Sequence, residues 1–144
     1  MTLARSIIPT LLFDGKTLVK GRAFASDRVV GHPVQQARVY TSVRDVDEIA
    51  LLDVRATVEG RGPSLDLIRS VSETCFVPLI YGGGIRRVED AAACIEAGAE
   101  RVVVSTHAIS SDLIERTADR FGCNAVPVAV EPSADSAPES ACRS

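Results

Sequence analysis

The sequence predicts an α/β protein made of four consecutive strand–helix units and a fifth strand, with the strands parallel. Five apolar runs bounded by turn residues carry this reading, at residues 6–13, 48–54, 77–81, 101–105 and 125–130. Their apolarity is continuous rather than alternating, which suits strands covered on both faces. Segments of helical length lie between them, and that alternation favours parallel strands joined by right-handed crossovers. The chain has 144 residues. That is enough for one domain with a sizeable core, but short of the about 250 residues of a closed eight-stranded α/β barrel.

Taken in order, Ile7-Ile8-Pro9-Thr10-Leu11-Leu12 reads as a buried first strand leading into a glycine-containing loop. Segment 14–32, with Lys20, Gly21 and Arg28, has the length of an active-site flap and equally of an ordinary surface loop. Gly31-His32-Pro33 places proline at a helix start, with Val34, Ala37, Val39 and Tyr40 as the buried stripe. The second strand ends near Asp53. Ser64 can cap the next helix, which turns Leu65, Ile68 and Val71 to one side. The third strand breaks into Gly82-Gly83-Gly84, and the alanine-rich helix 89–97 ends at Gly98. The fourth strand closes on Ser105-Thr106. Ser110 or Ser111 caps the last helix, which carries Leu113, Ile114, Thr117, Ala118 and Phe121 inward before Gly122 stops it. Pro127 removes a ladder donor from the fifth run, so that strand is expected at an edge or half formed. Stretches 44–53 and 96–105 echo one another weakly, each a polar turn and an acidic step before a strand.

After Glu131 the composition turns to Pro, Ser, Ala and acid, with little to bury. The expected organisation is a domain over residues 1–131 and a disordered tail over 132–144, which reads as a finished unit. A hydrophobic fraction of 46% and a mean hydropathy of +0.15 fit a compact soluble protein. No apolar run approaches the roughly 20 residues of a membrane span, and Met1 to Ser6 lack a secretory signal, so a cytoplasmic location and no membrane partner are expected. A net charge of −3 gives no electrostatic footprint for nucleic acid. Cys75, Cys94, Cys123 and Cys142 are scattered, and His32 and His107 are the only histidines, so neither a metal site nor a cofactor is expected.

Gly82, Gly83 and Gly84 between a strand and a helix are the strongest local signal. Without Cβ atoms such a loop can bring backbone N–H groups close to a phosphate, although a tight strand-to-helix turn asks for the same residues. Ser105 and Thr106 would stand beside that loop as hydroxyl donors, or simply form a turn. Arg86 and Arg87 near the helix start read as solvated. Asp14, Asp53 and Glu131 fall at strand ends on the carboxyl-terminal rim, where α/β active sites form and where acids could divide proton-transfer roles. Each could equally be a cap or an ion-pair partner.

Several stretches, in order and nearly without gaps, resemble one family. They are Arg5-Ser6-Ile7-Ile8-Pro9-Thr10-Leu11-Leu12, Leu18-Val19-Lys20-Gly21, Gly31-His32-Pro33-Val34, Glu48-Ile49-Ala50-Leu51-Leu52-Asp53, Glu59-Gly60-Arg61-Gly62, Tyr81-Gly82-Gly83-Gly84-Ile85 and Phe121-Gly122. The family is the cyclase subunit of imidazole glycerol phosphate synthase, a (βα)8 barrel of histidine biosynthesis, and the likeness is greatest to its paralogues in bacterial surface-sugar pathways. The resemblance implies a (βα)4 half of a TIM barrel plus the start of a fifth strand. It also implies phosphate binding by Gly82, Gly83, Gly84, Ser105 and Thr106, with Lys20 as the lysine of a substrate flap and Asp53 on the rim. In the family, ammonia from a glutaminase partner enters the reaction, and aspartates ending strands 1 and 5 act as acid and base. Leu12 and Glu131 stand at those positions, so one acid is absent and the other is longer by a methylene.

The expected function is therefore a phosphate- or phosphosugar-binding half-barrel without cyclase activity. The alternatives are a cyclase or lyase on a phosphorylated ligand, using Glu131 with Asp14 or Asp53 and a glutaminase-type partner, and a non-catalytic scaffold or assembly remnant. A half-barrel leaves apolar faces and edges open, so a homodimer is expected.

Overall fold

A computed structural model describes residues 5–21, 27–42, 45–105 and 111–129. Seven strands form one mixed sheet in the order β3-β2-β1-β4-β5-β6-β7, where β1 is Thr10–Phe13, β2 Leu18–Gly21, β3 Asp27–Gly31, β4 Ile49–Asp53, β5 Leu79–Gly82, β6 Arg101–Ser105 and β7 Val128–Ala129. Four helices alternate with them: α1 Pro33–Ser42, α2 Leu65–Thr74, α3 Val88–Ala97 and α4 Ser111–Phe121. Strands β1, β4, β5, β6 and β7 run parallel. This is half of a TIM barrel, four βα units and a short fifth strand.

The sheet has two unlike faces because successive side chains point to opposite sides. Leu11, Phe13, Ile49, Leu51, Leu79, Tyr81, Val102 and Val104 join the main core with Ile68 and Val71 of α2, Ala91 and Cys94 of α3 and Leu113 of α4. Phe13 and Tyr81 sit at its centre with ring centroids 6.4 Å apart and planes inclined by 54°. Each fully buried side chain of this size contributes about 1.5–3 kcal/mol. The opposite face carries Thr10, Leu12, Ala50, Leu52, Ile80, Gly82, Arg101 and Val103. Strand register lines these up in rows, one of them Leu12–Leu52–Gly82–Val103.

Several elements differ from expectation for identifiable reasons. Segment 14–32 contributes an antiparallel hairpin, β2 and β3, where no strand was expected. Pairing in β1 starts only at Thr10, after Pro9, whose carbonyl accepts the Ala50 N–H at 2.9 Å. In α1 the buried positions are Pro33 and Ala37, while Val39 and Tyr40 are exposed. Val39 lies two residues from Ala37, about 200° around the helix, and cannot share its stripe. Ser64 does precede α2 but makes no side-chain cap; its N–H donates instead to the Tyr81 hydroxyl at 2.9 Å. Residues Cys123–Ala125 form a 3-10 turn, and among the described residues β7 begins only at Val128, after Pro127. Gly98 and Gly122 end α3 and α4 at φ of 122° and 92°. No helix among the described residues is long and apolar enough to cross a membrane.

Candidate functional site

The carboxyl-terminal ends of the parallel strands bring together Asp14 after β1, Asp53 at the end of β4, the glycines after β5 and Ser105 at the end of β6. Asp53 is already committed. Its Oδ1 accepts the N–H groups of Arg55 at 3.0 Å and Ala56 at 2.9 Å, which turns the chain sharply out of β4. Arg61 then closes on both carboxylate oxygens, with Nη1 2.9 Å from Oδ2 and Nη2 3.3 Å from Oδ1. The Asp53 side chain is wholly buried. Arg61 also bonds Glu59 through Nε at 2.6 Å and the Asp14 carbonyl through Nη2 at 3.0 Å. Its pKa is raised, first by the hydrogen bond to Asp53 and then by that to Glu59. The guanidinium therefore ties the ends of β1 and β4 to one loop.

Asp14 is likewise structural. Its Oδ1 accepts the N–H groups of Lys16 at 3.0 Å and Thr17 at 2.9 Å, forming the turn that starts the hairpin. The Thr17 bond is the main cause of a lowered carboxyl pKa. Neither aspartate is an unengaged acid.

The glycine loop is shaped by packing against this same cluster. Gly83 and Gly84 have φ of 116° and 74°. A Cβ on Gly83 would lie 2.6 Å from the Asp53 carbonyl oxygen, and one on Gly84 2.7 Å from that of Arg61. Close approach of backbone to backbone thus accounts for both residues before any ligand is considered. At the start of α3, Asp90 Oδ2 accepts the N–H groups of Arg86 at 3.1 Å and Arg87 at 3.0 Å. These helix-start donors are spent on an internal carboxylate, and an anion at this rim would rely on the glycine backbone and the end of β6. Arg86 is not simply solvated, since its Nη2 donates to the Thr57 carbonyl at 3.3 Å.

Lys20 lies in the middle of β2, opposite Arg28 of β3 and exposed. It lines a groove of about 480 Å³ beside β1, together with Thr10, Leu12 and Tyr40. The Ser105 side chain, Thr106 and Glu131 lie outside the described residues. Two groups escaped the sequence reading. Arg61 was visible only as an arginine between glycines after a strand-end acid. Glu48 and Arg101 form an ion pair at the opposite, amino-terminal end of the strands, signalled by opposite charges at two strand starts. Among the described residues no group of three His, Cys, Asp or Glu could hold a metal ion.

Comparison with known proteins places these features in a family setting. A model of the family described as histidine biosynthesis protein matches residues 6–139. The chain is 41% identical over 130 residues to the imidazole glycerol phosphate synthase subunit HisF of Dictyoglomus thermophilum, covering 90% of this chain and 51% of that one. To the subunit of the same name from Caulobacter vibrioides it is 44% identical over 133 residues, covering 92% and 51%. For Salinispora tropica the values are 45% over 123 residues, 85% and 48%. The chain spans about half the length of the curated relatives it matches.

Proposed function

The chain belongs to the histidine biosynthesis protein family, and from that membership we propose that it is a phosphate- or phosphosugar-binding half-barrel with no cyclase activity of its own. The observation that carries this reading is the row Leu12–Leu52–Gly82–Val103. It crosses the interior face below the rim without a single ionisable side chain. Proton transfer needs an acid or base within hydrogen-bond reach of the reacting atom. The row offers none, and the nearest rim carboxylates, Asp14 and Asp53, are occupied by backbone donors and Arg61. That occupancy weighs against the alternative of a cyclase or lyase using Glu131 with Asp14 or Asp53 and ammonia from a glutaminase-type partner.

In support of anion binding, the glycine loop and the end of β6 lie on adjacent strands at the same rim. The ligand would take its bonds from backbone N–H groups there and from the hydroxyls of Ser105 and Thr106. The half-barrel is further proposed to be a homodimer in the cytoplasm, with residues 132–144 outside the folded domain.

Calorimetric titration of the whole chain with inorganic phosphate and with a pentose phosphate tests the binding. The expected result is saturable binding and a raised Tm, both weakened in Ser105→Ala with Thr106→Ala. No heat and an unchanged Tm in excess phosphate would sink the proposal. Turnover of a phosphorylated substrate that is lost in Glu131→Gln would favour the enzyme instead.

A further inference from the structure

We infer that the Arg61–Asp53 pair is the positioning device of the anion site: it holds the glycine loop in the shape that binds phosphate, without touching the ligand. The inference rests on the proposed phosphate binding and adds to that site two residues outside its ligand contacts.

Each glycine of the loop is seated on a different neighbour. A Cβ on Gly82 would lie 2.8 Å from Leu52 Cδ2 and 3.1 Å from Val103 Cβ. One on Gly83 would lie 2.6 Å from the Asp53 carbonyl oxygen and 2.7 Å from Asp53 Cβ, and one on Gly84 2.7 Å from the Arg61 carbonyl oxygen. The seats of Gly83 and Gly84 therefore belong to the ion pair. Arg61 lies in the loop between β4 and α2, not in a strand, and its side chain ties that loop to its surroundings. Nη1 donates to Asp53 Oδ2, Nη2 to Asp53 Oδ1 and the Asp14 carbonyl, and Nε to Glu59. One guanidinium thus joins the end of β4, the turn after β1 and the backbone under Gly84. It also packs on that turn closely, since a Cβ on Gly15 would lie 2.7 Å from Arg61 Nη1.

Anion binding at this turn depends on the shape of the loop. Asp90 already takes the N–H groups of Arg86 and Arg87, so the turn's donors to a ligand are the glycine N–H groups, whose directions follow from φ and ψ. All three guanidinium nitrogens of Arg61 already donate within the protein, and the Asp53 side chain is wholly buried. The pair acts through the loop and not by contact. Charge alone would work against it at Asp53, because a carboxylate beside Gly83 repels an anion. Positioning and charge therefore predict opposite signs when that carboxylate is neutralised.

The test is calorimetric titration of the whole chain with inorganic phosphate, native and as Arg61→Lys, Asp53→Asn and Glu59→Ala. Titrations are run below the lowest Tm of the set, with circular dichroism confirming that each chain is folded. Arg61→Lys keeps the charge and loses the planar fork, and it should weaken phosphate by about tenfold. Asp53→Asn and Glu59→Ala each remove a negative charge, which by Coulomb attraction alone would tighten phosphate. Positioning predicts weakening instead, by about tenfold at Asp53 and about threefold at Glu59. Native affinity in folded Arg61→Lys, or native or tighter affinity in either of the other two, overturns the inference and leaves phosphate binding standing. A native chain that takes up no phosphate overturns both. The Glu59 side chain is 43% exposed, so its arm decides the matter even where a change at the buried pair prevents folding.

Discussion

Arg61 grips Asp53 from the loop that Asp53 itself launches, with two guanidinium nitrogens at 2.9 and 3.3 Å from its carboxylate. The glycine loop then rests on both partners, Gly83 against the Asp53 backbone and Gly84 against that of Arg61. The rim is thus one interlocked unit. Arg61→Met would leave a buried carboxylate with only backbone donors. Full loss of a partner in a buried pair costs about 3–5 kcal/mol, but the Arg61 side chain is 34% exposed, and water screens part of that. The expected loss is about 1–3 kcal/mol, read from the denaturant midpoint; an unchanged midpoint would show that the clamp contributes nothing to stability.

Gly83→Ala should be far more damaging than Gly60→Ala. Both positions have positive φ, but the Cβ at 83 meets the backbone of Asp53 at 2.6 Å, whereas at 60 its only neighbour is the Arg86 side chain at 3.9 Å. Gly60→Ala is expected to cost about 1 kcal/mol from the dihedral alone, and Gly83→Ala several times more. Equal losses in thermal melts would contradict the packing account. A Gly83 variant that fails to bind phosphate is consequently uninformative unless its fold is measured as well.

Tyr81 joins β5 to the start of α2, because its hydroxyl accepts the Ser64 N–H at 2.9 Å. Tyr81→Phe should cost about 1–2 kcal/mol, since it leaves a part-buried donor without its acceptor. Burial pushes the Tyr81 hydroxyl up to about 12 from 10.0 and the Cys94 thiol up to about 12 from 9.0. Both groups hold their protons more tightly when folded. Their stabilising contribution is complete below the unfolded values and is lost as pH rises from about 9 toward 12. Stability should therefore fall across that window, and more shallowly in Tyr81→Phe with Cys94→Ala. Parallel pH profiles for the native and doubly substituted proteins would contradict this.

Asp14 has the opposite sign. Its folded pKa lies below 3.8, chiefly through the Thr17 N–H, so its contribution is present above 3.8 and is lost as pH falls through the folded value. Asp14→Ala should be less stable than the native chain at neutral pH, with the gap closing under acid. A gap independent of pH between 7 and 2 would mean that the turn gains nothing from the charge.

How much of this could be read from residues follows from the length scale of each feature. Continuous apolar runs such as Ile49 to Leu52 mark parallel strands without help, and Gly98 and Gly122 end helices by a local backbone need. The hairpin was missed because Leu18-Val19 and Val29-Val30 are too short to signal strands. Asp14 stands at the rim and also closes the four-residue turn between Phe13 and Leu18, a second role that its strand-end position alone does not signal. Asp14 and Asp53 were correctly placed at strand ends, but their engagement was not legible. Arg61 reaches the Asp14 carbonyl across 47 residues, a distance over which no local pattern acts.

Leu12→Asp is the substitution that returns an acid to the interior row, and its cost measures how apolar that row is. Leu12 is half-buried and stands in register with Leu52. An ionised carboxylate there loses hydration and gains no donor from the row, so its folded pKa should rise above the ordinary value of about 3.9. A raised acid destabilises the fold when ionised, so the penalty should be about 1–3 kcal/mol at pH 7 and should shrink as pH falls toward 4. Chemical denaturation at pH 7 and pH 4 reads the effect. A Leu12→Asp chain as stable as the native one at pH 7 would mean that the row is wet, and with it would fall the argument that this position cannot carry a working acid.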